Sequence, residues 1–78
     1  MTREDRVEQA ENIRDSKLER AEEIRDRKID EITDKRDSDR ISWDTFENLR
    51  DKIWADYENS KDRIWEQFED AKTKIYGY

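Results

Sequence analysis

An eleven-residue repeat governs this chain from its first rows to its last. Written in rows of eleven, one column reads Ala10, Ala21, Ile32, Trp43, Trp54, Trp65, Tyr76, and a second reads Ile13, Ile24, Lys35, Phe46, Tyr57, Phe68. A third column, Val7, Leu18, Ile29, belongs to the first half, and a fourth, Ile53, Ile64, Ile75, to the second. Polar positions follow the same rows: IRDSKLE at 13–19 returns as IRDRKID at 24–30. FENLRDKIW at 46–54 returns as YENSKDRIW and FEDAKTKIY. A heptad fails the same test, because a step of seven from Trp43 meets Arg50 and steps from Phe46 reach Ile53, then Ser60, Gln67 and Lys74. Eleven residues in three turns is about 3.67 per turn, so the pattern fits an α-helix that favours a right-handed supercoil.

The repeat decides what the composition means. Of 78 residues, 51% are charged and 31% hydrophobic, with no Pro, Cys or His and one Gly. Such a composition fits either a disordered polar chain or a helix whose narrow apolar stripe needs a partner. Periodicity selects the helix, since the few apolar residues fall on one stripe about 130° wide when projected at about 98° per residue. The stripe turns midway: Arg40, Asp51 and Asp62 replace the line of Val7, Leu18 and Ile29, while Ile53, Ile64 and Ile75 open an edge on the other side.

The expected fold is therefore all-α, with residues 1–78 forming one extended segment. Aliphatic rows occupy 2–37, a break lies at 38–42, and aromatic rows occupy 43–76. Thr2 and Asp5 have capping-box spacing, and Gly77 stands where a left-handed terminating residue belongs. KRDSDRIS at 35–42 interrupts the stripe and could host a turn capped by Ser38 or Asp39. Because two columns keep their phase across this segment, the sequence favours a continuous helix of about 110 Å. A helical hairpin turning near Ser38 is the alternative.

A lone helix cannot bury the stripe, so the expected seam faces a second chain. Its members are Val7, Ala10, Ile13, Leu18, Ala21, Ile24, Ile29 and Ile32 in the first half. In the second they are Trp43, Phe46, Leu49, Ile53, Trp54, Tyr57, Ile64, Trp65, Phe68, Ala71, Ile75 and Tyr76. A cation column of Arg50, Lys61 and Lys72 lies inside the stripe, four residues from an aromatic on either side, where cations can meet ring faces. Glu47, Glu58 and Glu69 precede these cations by three residues. Glu11 with Arg14 and Glu22 with Arg25 have helical pairing distance, and the Arg14, Arg25 and Arg36 column suits acidic columns of a neighbouring chain.

Charge and motif content narrow the function. The 17 Lys and Arg against 23 Asp and Glu give a net charge of −6, unsuited to a sequence-independent grip on nucleic acid. The N-terminus MTREDRVEQAENIRD lacks the hydrophobic segment of a signal peptide, and no apolar run approaches the roughly 18 to 20 residues that span a bilayer. The expectation is a soluble chain whose compartment is open. No catalytic residue, cofactor or metal site is expected: there is no Ser-His or Cys-His pair, no phosphate-binding Gly-rich loop, and Asp37, Ser38 and Asp39 lack the rest of a calcium loop.

The rows, above all YENSKDRIWEQFEDAKTKIY, resemble in period and in Lys, Glu and Asp pattern the repeats of group 3 late embryogenesis abundant proteins. In period the chain is similar also to right-handed hendecad coiled coils of stalks and assembly domains. The second resemblance implies a self-associating, filament-forming structural protein. The first implies a stress protectant or lipid-surface helix, with a membrane surface as the second choice of partner after another copy of the chain.

Overall fold

The computed structural model describes residues 1–77, and these form two α-helices, α1 (Arg3–Asp37) and α2 (Trp43–Tyr76), packed side by side. All-α is the observed class, and its arrangement is the helical hairpin. The expected continuous helix is corrected by the turn at 38–42, which folds the chain into a ribbon of 56 × 18 × 8 Å. Its radius of gyration is 17.6 Å, against about 11.5 Å for a compact domain of this length.

Helix α1 begins as the sequence predicts, whereas α2 is capped by Ser42 and not by the expected Ser38 or Asp39, which are taken up in closing α1. At the start of α1, the Asp5 backbone N–H donates to Thr2 Oγ1 at 3.1 Å, and the Thr2 N–H donates to Asp5 Oδ2 at 3.3 Å, completing the capping box. At the start of α2, the Thr45 N–H donates to Ser42 Oγ at 3.2 Å. Ile41 and Phe46 occupy the staple positions on either side of that cap, one half-buried and the other 5% exposed. Gly77 ends α2 in the left-handed region, with φ 75° and its N–H on the Thr73 carbonyl at 2.9 Å.

The turn explains why column phase misled. Helix α1 ends in a Schellman arrangement: the Arg40 N–H reaches the Lys35 carbonyl at 2.8 Å, and the Asp39 N–H reaches the Arg36 carbonyl at 3.0 Å. This geometry places Asp39 at φ 58°, a left-handed conformation that glycine adopts freely and a Cβ-bearing residue adopts at a cost. Ser38 Oγ caps the Asp34 carbonyl at 2.7 Å. Local polar hydrogen bonds thus terminate α1 without Gly or Pro, the signals by which turns are most readily read.

Packing is thin. Ile32, Phe46 and Phe68, at 7, 5 and 8% exposure, are the buried hydrophobic residues among those described. Val7, Ala10, Leu18, Ala21 and Ile29 of α1 are half-buried, as are Leu49, Ile53, Tyr57, Ile64, Ala71 and Ile75 of α2. These expected seam residues face the other helix of the same chain. The turning of the stripe at mid-chain also has a simple origin: each half is a separate helix with its own contact face.

Relieving the conformation of Asp39 should stabilise the hairpin. Asp39→Gly is expected to add about 1 kcal/mol, raising the thermal midpoint by roughly 4 to 8 °C. Circular dichroism melts of the two proteins check this; an unchanged or lowered midpoint would contradict the assignment of the turn.

Candidate functional site: an arginine ladder and two unlike flanks

Arg14, Arg25 and Arg36 recur every eleven residues along α1, on the face turned to α2. Opposite them stand three ring pairs, Trp65 with Phe68, Trp54 with Tyr57, and Trp43 with Phe46, also eleven residues apart but running the other way. The Arg14 guanidinium carbon lies 4.7 Å from the Trp65 ring centre and 4.5 Å from that of Phe68. Arg25 repeats this at 4.7 Å from Trp54 and 4.5 Å from Tyr57. Arg36 does so at 4.7 Å from Trp43 and 4.4 Å from Phe46. Each step of three turns up α1 is thus matched by three turns down α2, which fixes the antiparallel register.

The rings are set to receive the cation. Within each pair the centroids are 5.8 to 5.9 Å apart and the planes cross at 84 to 89°, the edge-to-face arrangement favoured by ring quadrupoles. A carboxylate from the following residue completes each unit: Arg14 Nε donates to Asp15 Oδ1 and Arg25 Nε to Asp26 Oδ1, both at 2.9 Å. Arg36 Nε and one Nη donate to Asp37 Oδ1 at 3.2 Å. The hydrogen bond to Asp26 raises the Arg25 pKa above its already high usual value against the opposing effect of desolvation. A raised value means that its favourable charge interactions are present below the usual arginine range and are lost only on rising through still more alkaline pH. Side-chain exposures of 18, 19 and 25% for the three arginines show that each is packed along most of its length against the facing helix, with the cation at the ring faces.

The structure changes the roles inferred from sequence. The ladder cations are Arg14, Arg25 and Arg36 of the same chain, and they pair with the adjacent Asp rather than with Glu11 or Glu22. The expected column of Arg50, Lys61 and Lys72 lies at the margin. Arg50 sits 5.8 Å from the Phe46 ring and Lys72 5.7 Å from that of Phe68, as the four-residue spacing predicts. Lys61 approaches Glu58 at 3.8 Å, and its stem is half-buried. The exact eleven-residue recurrence of Arg14, Arg25 and Arg36 was the available signal, but its partners become visible only once α2 is folded back in antiparallel register.

Several expected seam residues are not covered by the hairpin. Ile13 and Ile24 remain 52 and 36% exposed, and Trp43, Trp54, Trp65 and Tyr76 are 63, 44, 40 and 39% exposed. They lie off the contact line because a single facing helix covers a narrower arc than the stripe occupies. The two flanks differ in charge. On one, an open groove of about 390 Å³ is floored by Ala21, Ile24, Ile53 and Ile64. Lys17, Arg20, Lys28 and Arg63 rim it, with Asp56 as the carboxylate among its lining residues. A further hollow of about 210 Å³ extends it toward Ala10, Ile13 and Ala71. On the other flank Trp65 is set among Asp62, Glu66, Glu69 and Asp70.

Among the described residues, no group of three His, Cys, Asp or Glu is placed to hold a metal ion, and no helix is long and apolar enough to cross a membrane. Compared with protein-family models, curated proteins and solved structures, the chain matches none.

A double-mutant cycle measures the ladder. Arg25→Ala and Trp54→Ala should each destabilise the hairpin, and together by about 1 kcal/mol less than the sum, the coupling of one cation–π pair. Urea unfolding of the four proteins provides the free energies. Additive losses would show that Arg25 contributes through its stem alone.

Proposed function

We propose that this chain is a non-catalytic structural module that assembles with copies of itself, each copy entering as a folded hairpin. The observation carrying this reading is the apolar surface that two helices leave open: Ile13 and Ile24 beside the groove, and the Trp column along the opposite flank. The accessible surface of 6208 Å² for a 9.7 kDa chain exceeds by about a thousand Å² the area of a compact monomer of that mass. A helical pair alone is marginal below about 70 to 80 residues, and association is one of the usual remedies. The eleven-residue repeat supports assembly as well, since identical units recur along both flanks and can be matched repeatedly.

The stress-protectant or lipid-surface reading is weaker on this geometry. A helix lying in a lipid interface would bring its aromatic face to the acyl chains. In the hairpin the part of that face left open around Trp65 lies among Asp62, Glu66, Glu69 and Asp70, carboxylates unsuited to an anionic lipid surface, and presenting the rest would separate its contacts with Arg14, Arg25 and Arg36.

Sedimentation equilibrium with circular dichroism over a dilution series tests the assembly. At concentrations on the order of 100 µM, suited to association of modest affinity, the mass should exceed 9.7 kDa, falling toward the monomer on dilution. Helicity should stay nearly constant, because the ladder closes within one chain. A 9.7 kDa species at every concentration would overturn the proposal.

A further inference from the structure

Taking self-assembly as its premise, we infer that the contact is head to tail: the basic groove of one hairpin receives the acidic, Trp-bearing flank of the next. The two surfaces are complementary in charge. Five cations and one carboxylate line the groove, whereas four carboxylates and no cation accompany Trp65 on the flank. In a chain of net charge −6 such segregation gives each copy a positive side and a negative side, and opposite patches attract where like patches repel.

They are complementary in apolar content also. The groove offers an aliphatic floor, and Trp54 and Trp65 each turn about two-fifths of their surface to solvent. Ladder arginines occupy one side of these indoles, leaving surface to enter a hollow. The periods agree: Ile13 to Ile24, Ile53 to Ile64 and Trp54 to Trp65 are all eleven-residue steps, about 16.5 Å along a helix. Seating one Trp in the groove therefore brings the next to an equivalent place one repeat along.

The surfaces share no lining residue. They occupy roughly opposite flanks of α2, the mean directions of their lining residues on that helix lying roughly 150° apart at 100° per residue. A copy that has filled its groove still presents its flank, so the contact is heterologous and propagates as an open stack of hairpins. A two-fold dimer would instead place a basic groove against a basic groove.

Two variants, each disabling one surface, provide the test. Lys17→Glu with Lys28→Glu cancels the excess positive charge of the groove, leaving three cations and three carboxylates, and leaves the flank intact. Glu66→Lys with Asp70→Lys cancels the negative charge of the flank, leaving two carboxylates and two cations, and leaves the groove intact. All four positions are exposed, and circular dichroism establishes that each variant retains parental helicity. Each alone should associate at least about tenfold more weakly than the parent, in the range by which mutation of paired interfacial charges alters binding. Mixed in equal amounts they should form a 1:1 dimer and nothing larger, because the sound groove of one meets the sound flank of the other and both outer surfaces are disabled.

If the parent assembles but the mixture yields no heterodimer, or the flank variant assembles like the parent, the head-to-tail contact is wrong while self-assembly stands. If the parent remains monomeric throughout, both proposals fall. A monomeric parent whose Trp emission shifts blue on vesicles of phosphatidylserine, and not on vesicles of phosphatidylcholine, would assign the groove to an anionic lipid instead and overturn the contact between copies.

Discussion

A guanidinium held between an indole and a second ring is the interaction on which this hairpin depends. Helix–helix contact in a chain with 31% hydrophobic residues cannot rest on a deep aliphatic core, and Ile32, Phe46 and Phe68 supply only three buried anchors. Arginine fills the remaining contact line because its planar head stacks on rings while its stem packs like an aliphatic side chain. The aspartate after each ladder arginine orients the head and balances its charge. Repetition makes this specific: sliding one helix along the other by a single turn would take all three guanidiniums off their rings together.

The ladder also shapes the outer surface. Drawing Arg14, Arg25 and Arg36 inward toward α2 leaves their paired aspartates near one flank, while Lys17, Arg20 and Lys28 gather around the other. The same internal geometry that closes the hairpin thereby separates its charge. Half-exposed indoles follow from the stacking too, since an edge-to-face pair with a cation against it leaves part of the larger ring uncovered. Packing and surface polarity are in this sense consequences of one repeated unit.

Much of this was legible in the residues, for identifiable reasons. Helical class and the all-α fold follow from the period, and Thr2 marks the start of α1; the cap of α2 is Ser42, where the polar segment points to Ser38 or Asp39. Gly77 announced the end of α2. The turn was less legible because Asp39 takes the left-handed position without glycine, and because eleven-residue phase persists across 38–42 even though the contact face changes there. The apolar stripe calls for a facing helix, and α2 of the same chain provides one for α1. Arg50, Lys61 and Lys72 stand four residues from aromatics, a spacing visible within one helix. Arg14, Arg25 and Arg36 meet rings 7 to 54 residues away on the other helix, a relation that no spacing within one helix contains.

The most direct measurement is isotope-filtered nuclear Overhauser spectroscopy on a sample in which labelled and unlabelled chains are mixed. If the ladder closes within one chain, the δ-methylene protons of Arg14, Arg25 and Arg36 will be shifted upfield by ring currents and will show contacts to Trp65, Trp54 and Trp43 inside the labelled chain. Random-coil shifts for those protons, or arginine–tryptophan contacts found only between labelled and unlabelled chains, would contradict the account.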